Sequence, residues 1–302
     1  MGKFLIMAEM QTILFIYIFV GFLLRRIKLI SSEARNGFSE VLLTLFMPCM
    51  VFDSFRQDIT LRELLSTSLT LGIAVAVSIF SYILGKFIFN RYPASKRKIL
   101  RYGALISNSV FAGMPIMKSV YGNLGVFYSS IFVISNRIFM WTAGISMFTD
   151  ADMKTRVKNV LLNPGVVAVF LGIIRMLLRI RLPSFVDVSI EHLGACTTPI
   201  SMMIVGTFLA DVNIKSVFSL DCMFSSFVRL ILIPGVTLLA LKLAGAEEIQ
   251  VATAVILTAM PIGSSTVMLA QRYDADAEFA SQCVFLSTVL SMFTTPVLAL
   301  FL

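Results

Sequence analysis

Ten apolar runs follow one another along this chain, at about 11–30, 38–55, 66–89, 101–121, 125–148, 159–180, 191–210, 219–242, 250–271 and 278–301, with short polar breaks between them. A helix needs about 20 apolar residues to cross the hydrocarbon of a bilayer, and a crossing segment must satisfy its own backbone polar groups. Barrel strands would be about half as long and would alternate apolar with polar residues, which these runs do not. The sequence therefore predicts an all-α membrane protein with ten transmembrane helices. Composition points the same way. Of 302 residues, 58% are hydrophobic and 14% charged, against about 45–50% and 25% in soluble domains. No stretch of soluble-domain composition is left between the runs.

The net charge of +8 does not mark a nucleic-acid partner, because Lys and Arg sit in the breaks rather than on one amphipathic surface. Their placement sets orientation instead. With each charge assigned to its nearest helix end, Arg25, Arg26, Lys28 and Arg35, then Arg91, Lys96, Arg97, Lys98 and Arg101, then Lys154, Arg156 and Lys158 all fall to the loops after odd-numbered runs. Fewer follow the even-numbered ones, so the odd-numbered loops are expected in the cytoplasm and both termini outside a cell membrane. The N-terminus does not read as a removable signal, since Glu9 and Gln11 interrupt its first apolar stretch. Ile6 stands where a myristoylation motif needs a hydroxyl residue, and no GxxxxGK[ST] loop is present. Cys49, Cys196, Cys222 and Cys283 form no CxxC pair and have no histidine at ligand spacing. They read as small apolar residues, and no metal or cofactor is expected. His192, at a predicted helix start, reads as an interfacial residue.

The chain also reads as two copies of a five-helix unit. A shift of 152 lays Phe127 on Phe279, Ser129 on Ser281, Ser135 on Ser287, Met140 on Met292 and Thr142 on Thr294. A shift of 151 lays Pro48 on Pro199, and one of 146 lays Pro115 on Pro261. The expected organisation is a first repeat at 1–148, a short cytoplasmic connector at 149–158 and a second repeat at 159–302. An odd number of helices per copy inverts the second copy, the pattern of secondary transporters.

Within this pattern "SNSVFAGMPIMKSVYG" at 107–122 and "LTAMPIGSST" at 257–266 each set Met-Pro-Ile among small and polar residues inside a run. A carbonyl freed by proline in hydrocarbon costs several kcal/mol unless protein or trapped water satisfies it. Two such breaks at repeat-related places predict crossed, interrupted helices 4 and 9. Half-helix N-termini there would offer N–H groups and partial positive charge to an anion. Ordinary proline kinks are the plainer reading of either one alone. Pro48 and Pro199 are expected as kinks lining the same cavity.

At these residues the sequence resembles the auxin efflux carrier family, within a larger group that includes bile-acid sodium symporters. The resemblance is carried by Asn108, Gly113, Pro115, Lys118, Tyr121 and Gly122, by "LLNPG" at 161–165, by "TTPISM" at 197–202 and by the stretch 260–297. It implies inverted five-helix repeats and an organic anion held where helices 4 and 9 cross, with Asn108, Pro115 and Pro261 at the crossover. The connector is far shorter than the central loop of the plant hormone carriers, which favours a compact microbial permease; malate-like carboxylates are the substrates attached to that branch.

Arg137 falls in mid-span in "VISNRIFMW", where a charge costs ~2.5–3.5 kcal/mol or more. Two readings stand for it. With Asn136 it faces the cavity and attracts an anion, or it is bound to carbonyls at a broken helix; its repeat equivalent is Val289, so symmetry does not decide. Arg229 is expected to snorkel to the cytoplasmic interface. No acidic residue lies at mid-span, so a relay for H⁺ as the coupling ion is hard to place on a buried Asp or Glu, whereas coupling to Na⁺ through carbonyls and hydroxyls such as Ser264, Ser265 and Thr266 stays open, as does uniport driven by the membrane potential. The expected substrate contacts are Asn108, Gly113, Pro115, Asn136, Arg137, Pro261, Gly263, Ser264, Ser265 and Thr266. The expected partners are a small organic anion, the lipid bilayer, a coupling ion and a second copy of the chain. A sodium-coupled symporter of the bile-acid type is the runner-up. A receptor that binds without transporting is disfavoured by the absence of a signalling domain, and no nucleophile–base pair or HExxH supports an enzyme.

Overall fold

The computed structural model describes residues 2–56, 61–148, 154, 158, 161–211, 217–273 and 275–302. Apart from Lys154 and Lys158, the connector predicted at 149–158 lies outside the described residues. The helical elements are α1 (Gly2–Arg26), α2 (Ser32–Ser54), α3 (Leu61–Ile88), α4 (Ala94–Leu105), α5 (Ser109–Gly144) and α6 (Pro164–Leu177). They continue with α7 (Ser184–Ala210), α8 (Leu220–Leu243), α9 (Glu248–Thr258), α10 (Ser265–Arg272) and α11 (Ala277–Ala299). Among the described residues the one pairing of extended backbone is an antiparallel bridge between Ser107 and Ile262. Six elements, α2, α3, α5, α7, α8 and α11, are individually long and apolar enough to cross a bilayer, and α6 and α9 are shorter apolar helices. The chain is an all-α membrane protein.

The elements depart from the predicted runs in two places: the run at 101–121 is cut after Leu105, and the run at 250–271 is cut after Thr258. The run at 125–148 is a helical arm of its own, the second of the two that make up α5, joined to the first through Gly122. Gly122 has φ 60°, a region in which a side chain is strained. The chain reverses there. Asn136 Nδ2 donates to Ser109 Oγ at 3.2 Å across 27 residues, which a straight helix would hold about 40 Å apart. A Cβ added at Gly125 would strike the carbonyl of Met117, so the arms 109–121 and 123–144 lie side by side.

Four π-helical turns are described, at Leu42–Phe46, Ser109–Gly113, Met140–Gly144 and Val228–Leu232. Three have a sequence cause. Pro48, Pro115 and Pro234 each stand two residues past the turn, and a proline ring collides with the carbonyl four residues before it. Those carbonyls, of Thr44, Phe111 and Leu230, all fall inside π turns. Widening the turn relieves the collision, and the residue before each proline then donates five back: Met47 to Leu42, Met114 to Ser109 and Ile233 to Val228. These prolines therefore widen helices without ending them.

Lipid-facing and packed surfaces separate cleanly. Phe15, Ile16, Phe19, Ile83, Phe87, Phe170, Leu171 and Leu239 are exposed, a surface that suits hydrocarbon and would aggregate in water. Between α1 and α7 the backbones nearly touch, because a Cβ at Gly21 would strike the carbonyl of Met203 and one at Gly206 would strike that of Ile18. Small residues let membrane helices gain van der Waals contact where no hydrophobic force distinguishes helix from lipid. At the polar end of this pair, Asp211 accepts from Arg25 Nε at 2.9 Å and from Arg35 Nη1 at 2.7 Å.

Candidate functional site: the crossing of two broken helices

Where α4 and α9 stop, two short extended segments meet. Asn108 N–H donates to the Pro261 carbonyl at 2.7 Å, and Gly263 N–H donates to the Ile106 carbonyl at 3.1 Å. Neighbouring groups find partners too. Ser107 Oγ donates to the Leu257 carbonyl at 2.9 Å, Ser287 Oγ accepts from Ile262 N–H at 3.1 Å, and Thr266 Oγ1 donates to the Gly263 carbonyl at 2.7 Å. Extended backbone survives at membrane depth only with such internal satisfaction. Proline suits position 261, since it brings a carbonyl to accept and no N–H to satisfy.

Arg229 completes the closure. Its Nη1 donates to the Ala104 carbonyl at 2.7 Å, in the last turn of α4, and its Nε donates to the Met260 carbonyl at 3.2 Å, just past α9. It is 2% exposed. The expectation that it snorkels to the interface is thus corrected: carbonyls freed at two helix ends offer fixed acceptors within reach, and the guanidinium fork fits two at once. Of the two roles considered for Arg137, carbonyl binding at a broken helix is the one Arg229 performs.

On the N-terminal side the crossing opens onto a cavity of about 310 Å³. Its apolar wall includes Leu43, Ile106, Val110, Phe111, Met140, Ile145 and Leu269, and its polar groups come from Tyr102, Ser107, Asn108, Ser109, Asn136, Arg137, Ser264 and Ser265. Three of the four π turns contribute lining residues, Leu43, Ser109 to Phe111, and Met140. Tyr102 Oη and Ser265 Oγ are 3.0 Å apart and link α4 to α10.

The electrostatics of this cavity are one-sided. Arg137 is half-buried, and among the described residues its hydrogen-bond partner is the Met140 sulfur, 3.6 Å from Nη1. Among the described residues no carboxylate pairs with it, and no Asp or Glu lines the cavity. Two helices begin at the same wall, α5 after Asn108 and α10 after Ser264, and neither is capped by its own N-cap side chain. At α10 the Thr266 and Val267 N–H groups already donate to the Gly263 and Ser264 carbonyls, at 2.9 and 3.1 Å, so its contribution is the partial charge of the helix dipole, about half a positive charge at each N-terminus. One full and two partial positive charges face an apolar-walled space, the arrangement for an anion with an organic body.

Of the residues expected to contact substrate, Asn108, Asn136, Arg137, Gly263, Ser264 and Ser265 line this cavity. Gly113, Pro115, Pro261 and Thr266 do not. Gly113 lets α5 approach α9, since a Cβ there would lie 2.6 Å from Leu257 Cδ2. Pro115 stands beyond the break, behind the π turn at Ser109–Gly113, so the two Met-Pro-Ile motifs are not structural equivalents. Pro261 and Thr266 serve the crossing itself. Pro48 lines a separate apolar recess with Pro164 and Phe52, and Pro199 follows a turn at Cys196 that interrupts α7. Neither lines the central cavity. Tyr102, Ser107, Ser109 and Arg229 were not marked by the sequence. Ser107 and Ser109 flank Asn108 and could have been read with it, whereas Tyr102 carries no local signal.

A membrane-embedded helix crossing with a cationic cavity defines a membrane transport protein. The chain matches the family described as membrane transport protein over residues 5–160 and 153–299, and it belongs to that family, the auxin efflux carrier and permease family. It is 23% identical to an uncharacterized transporter of Methanocaldococcus jannaschii, over 95% of this chain and 96% of the relative. It is likewise 23% identical to a protein of Rhizobium meliloti named "Putative malonate transporter", over 92% and 90%. An uncharacterized transporter of Methanothermobacter thermautotrophicus is 22% identical over 96% and 97%.

Proposed function

We propose that this chain carries a small organic anion, a carboxylate, across the cell membrane by alternating access, holding it in the cavity beside the crossing. The observation that carries this reading is Arg137, a guanidinium without a carboxylate partner among the described residues, facing a cavity at which two helices also begin. A cation at membrane depth without a counter-charge is costly, and a bound carboxylate supplies one. Asn108 offers its side-chain amide at the start of α5, and Ser264 and Ser265 offer hydroxyls at the start of α10. The apolar wall takes the organic part of the ligand.

In this reading the segments 1–148 and 159–302 are inverted repeats, the odd-numbered loops are cytoplasmic and both termini are outside. Export of an anion from a cell negative inside is then downhill by ~2.3 kcal/mol per charge per 100 mV. Malonate, for which the Rhizobium relative is named, and malate are the first candidates. Two measurements test the proposal. A thermal-shift screen over mono- and dicarboxylates identifies the ligand that stabilises the folded protein. Counterflow of that labelled ligand in proteoliposomes then separates a carrier from a receptor, since binding without flux would sink the carrier reading.

A further inference from the structure

Half-helix C-termini at a membrane crossing commonly present their carbonyls to a coupling cation. Here both C-terminal ends meet a cation that belongs to the chain. Arg229 reaches from α8 into the crossing and bonds Ala104 of α4 and Met260 beyond α9 with two different nitrogens of one guanidinium. Among the described residues no carboxylate pairs with it, and it is 2% exposed. Two helix C-termini amount to about one negative charge between them, which one guanidinium matches. Other carbonyls at the breaks are also occupied: Leu257 by the Ser107 hydroxyl and Ile106 by the Gly263 N–H. A guanidinium stays charged throughout the physiological range, so it passes no proton.

We infer that Arg229 is a tethered counter-cation that stands where a coupling ion would bind, and that anion exchange through this crossing therefore needs no Na⁺. Arg229 is a positioning residue in this scheme: it never meets the substrate, and it fixes the half-helix ends whose other halves form the anion site. The inference rests on the carrier reading of the cavity.

The test uses the full-length protein in proteoliposomes, with labelled malonate and labelled malate as probes, in Na⁺ and in choline media of equal ionic strength. Wild-type counterflow is expected to be the same in both media. Arg229→Ala, which empties the position, is expected to lose about tenfold or more of its exchange in choline, the scale of losing charge-assisted hydrogen bonds. Low concentrations of guanidinium ion are expected to restore part of it and to raise the thermal stability of this variant in detergent, while leaving wild type unmoved. Should Arg229→Ala fail to fold, Arg229→Lys keeps the charge with one fewer anchoring geometry, and its reduced flux is expected to stay independent of Na⁺. Flux in wild type or in Arg229→Lys that appears only with Na⁺ overturns the inference and leaves the carrier reading in place. So does an Arg229→Ala protein with wild-type flux in choline. No flux of either probe in either medium removes the carrier reading, and the inference with it.

Discussion

Arg137 and Arg229 serve the two polarities of one crossing. At the C-terminal ends of α4 and α9, Arg229 is sealed in protein and its bonds go to backbone carbonyls. At the N-terminal ends, beside α5 and α10, Arg137 faces open space and, among the described residues, is hydrogen-bonded to a thioether. Both residues place a charge at membrane depth, yet only one is compensated within the fold. The difference separates the part of the crossing that holds the protein together from the part at which we propose a ligand binds.

That contrast is open to test at several scales. Arg229→Met should destabilise most, since it strands two buried carbonyls at about 1–3 kcal/mol each; an unchanged melting temperature in detergent would show that the carbonyls find other donors. Arg137→Gln should behave oppositely, melting no lower than wild type while binding of malonate or malate weakens by about tenfold or more, the worth of a hydrogen bond to a charged group. Equal affinity in that variant would leave Arg137 outside the site. Asn108→Ala is expected to weaken binding only severalfold, about 0.5–1.5 kcal/mol, and to leave folding intact, because the crossing uses the Asn108 backbone N–H rather than its amide. The Ser264/Ser265 double alanine change should likewise lower uptake in a folded protein, and wild-type uptake in both would remove the anion site from this wall.

The smallest effect belongs to the rim. Burial pushes the Asp211 carboxyl up, but hydrogen bonds from Arg25 and Arg35 outweigh it and hold the group below its ordinary value. A carboxylate so lowered contributes fully above its unfolded pKa, about 3.9 for Asp, and loses that contribution only as pH falls through the lower folded value. Asp211→Asn should therefore cost no more than about 1 kcal/mol at neutral pH, with a difference that shrinks in high salt. A loss as large as that of Arg229→Met would mean that burial is not what sets the crossing apart.

Helix content and membrane residence were legible because hydrocarbon demands long apolar runs, and any stretch such as 66–89 states this by itself. Asn108 and Ser264 were legible because polar residues inside such runs call for a reason. The proline reading was only half available. Pro261 does lie in a break, but Pro115 makes a π turn, and sequence cannot separate these outcomes because each depends on whether a neighbouring segment pairs with the freed backbone. Arg229 was misread for a related cause. Its partners, Ala104 and Met260, lie 125 and 31 residues away and contribute only main-chain carbonyls, to which the identity of their side chains gives no clue.

The widened turns also change where this chain can tolerate a lost residue. Deleting one residue from an α-helix rotates everything beyond it by about 100°, which would turn a packed face toward lipid. A π turn holds one residue more than an α turn, so a single deletion within it can be absorbed by reverting to α geometry. At Leu42–Phe46, Ser109–Gly113 and Val228–Leu232 that reversion would meet the proline behind it, and the deletion would need a companion replacement of Pro48, Pro115 or Pro234. Met140–Gly144 has no such proline. It is the described turn at which shortening the chain by one residue would leave the downstream register nearest to its present state.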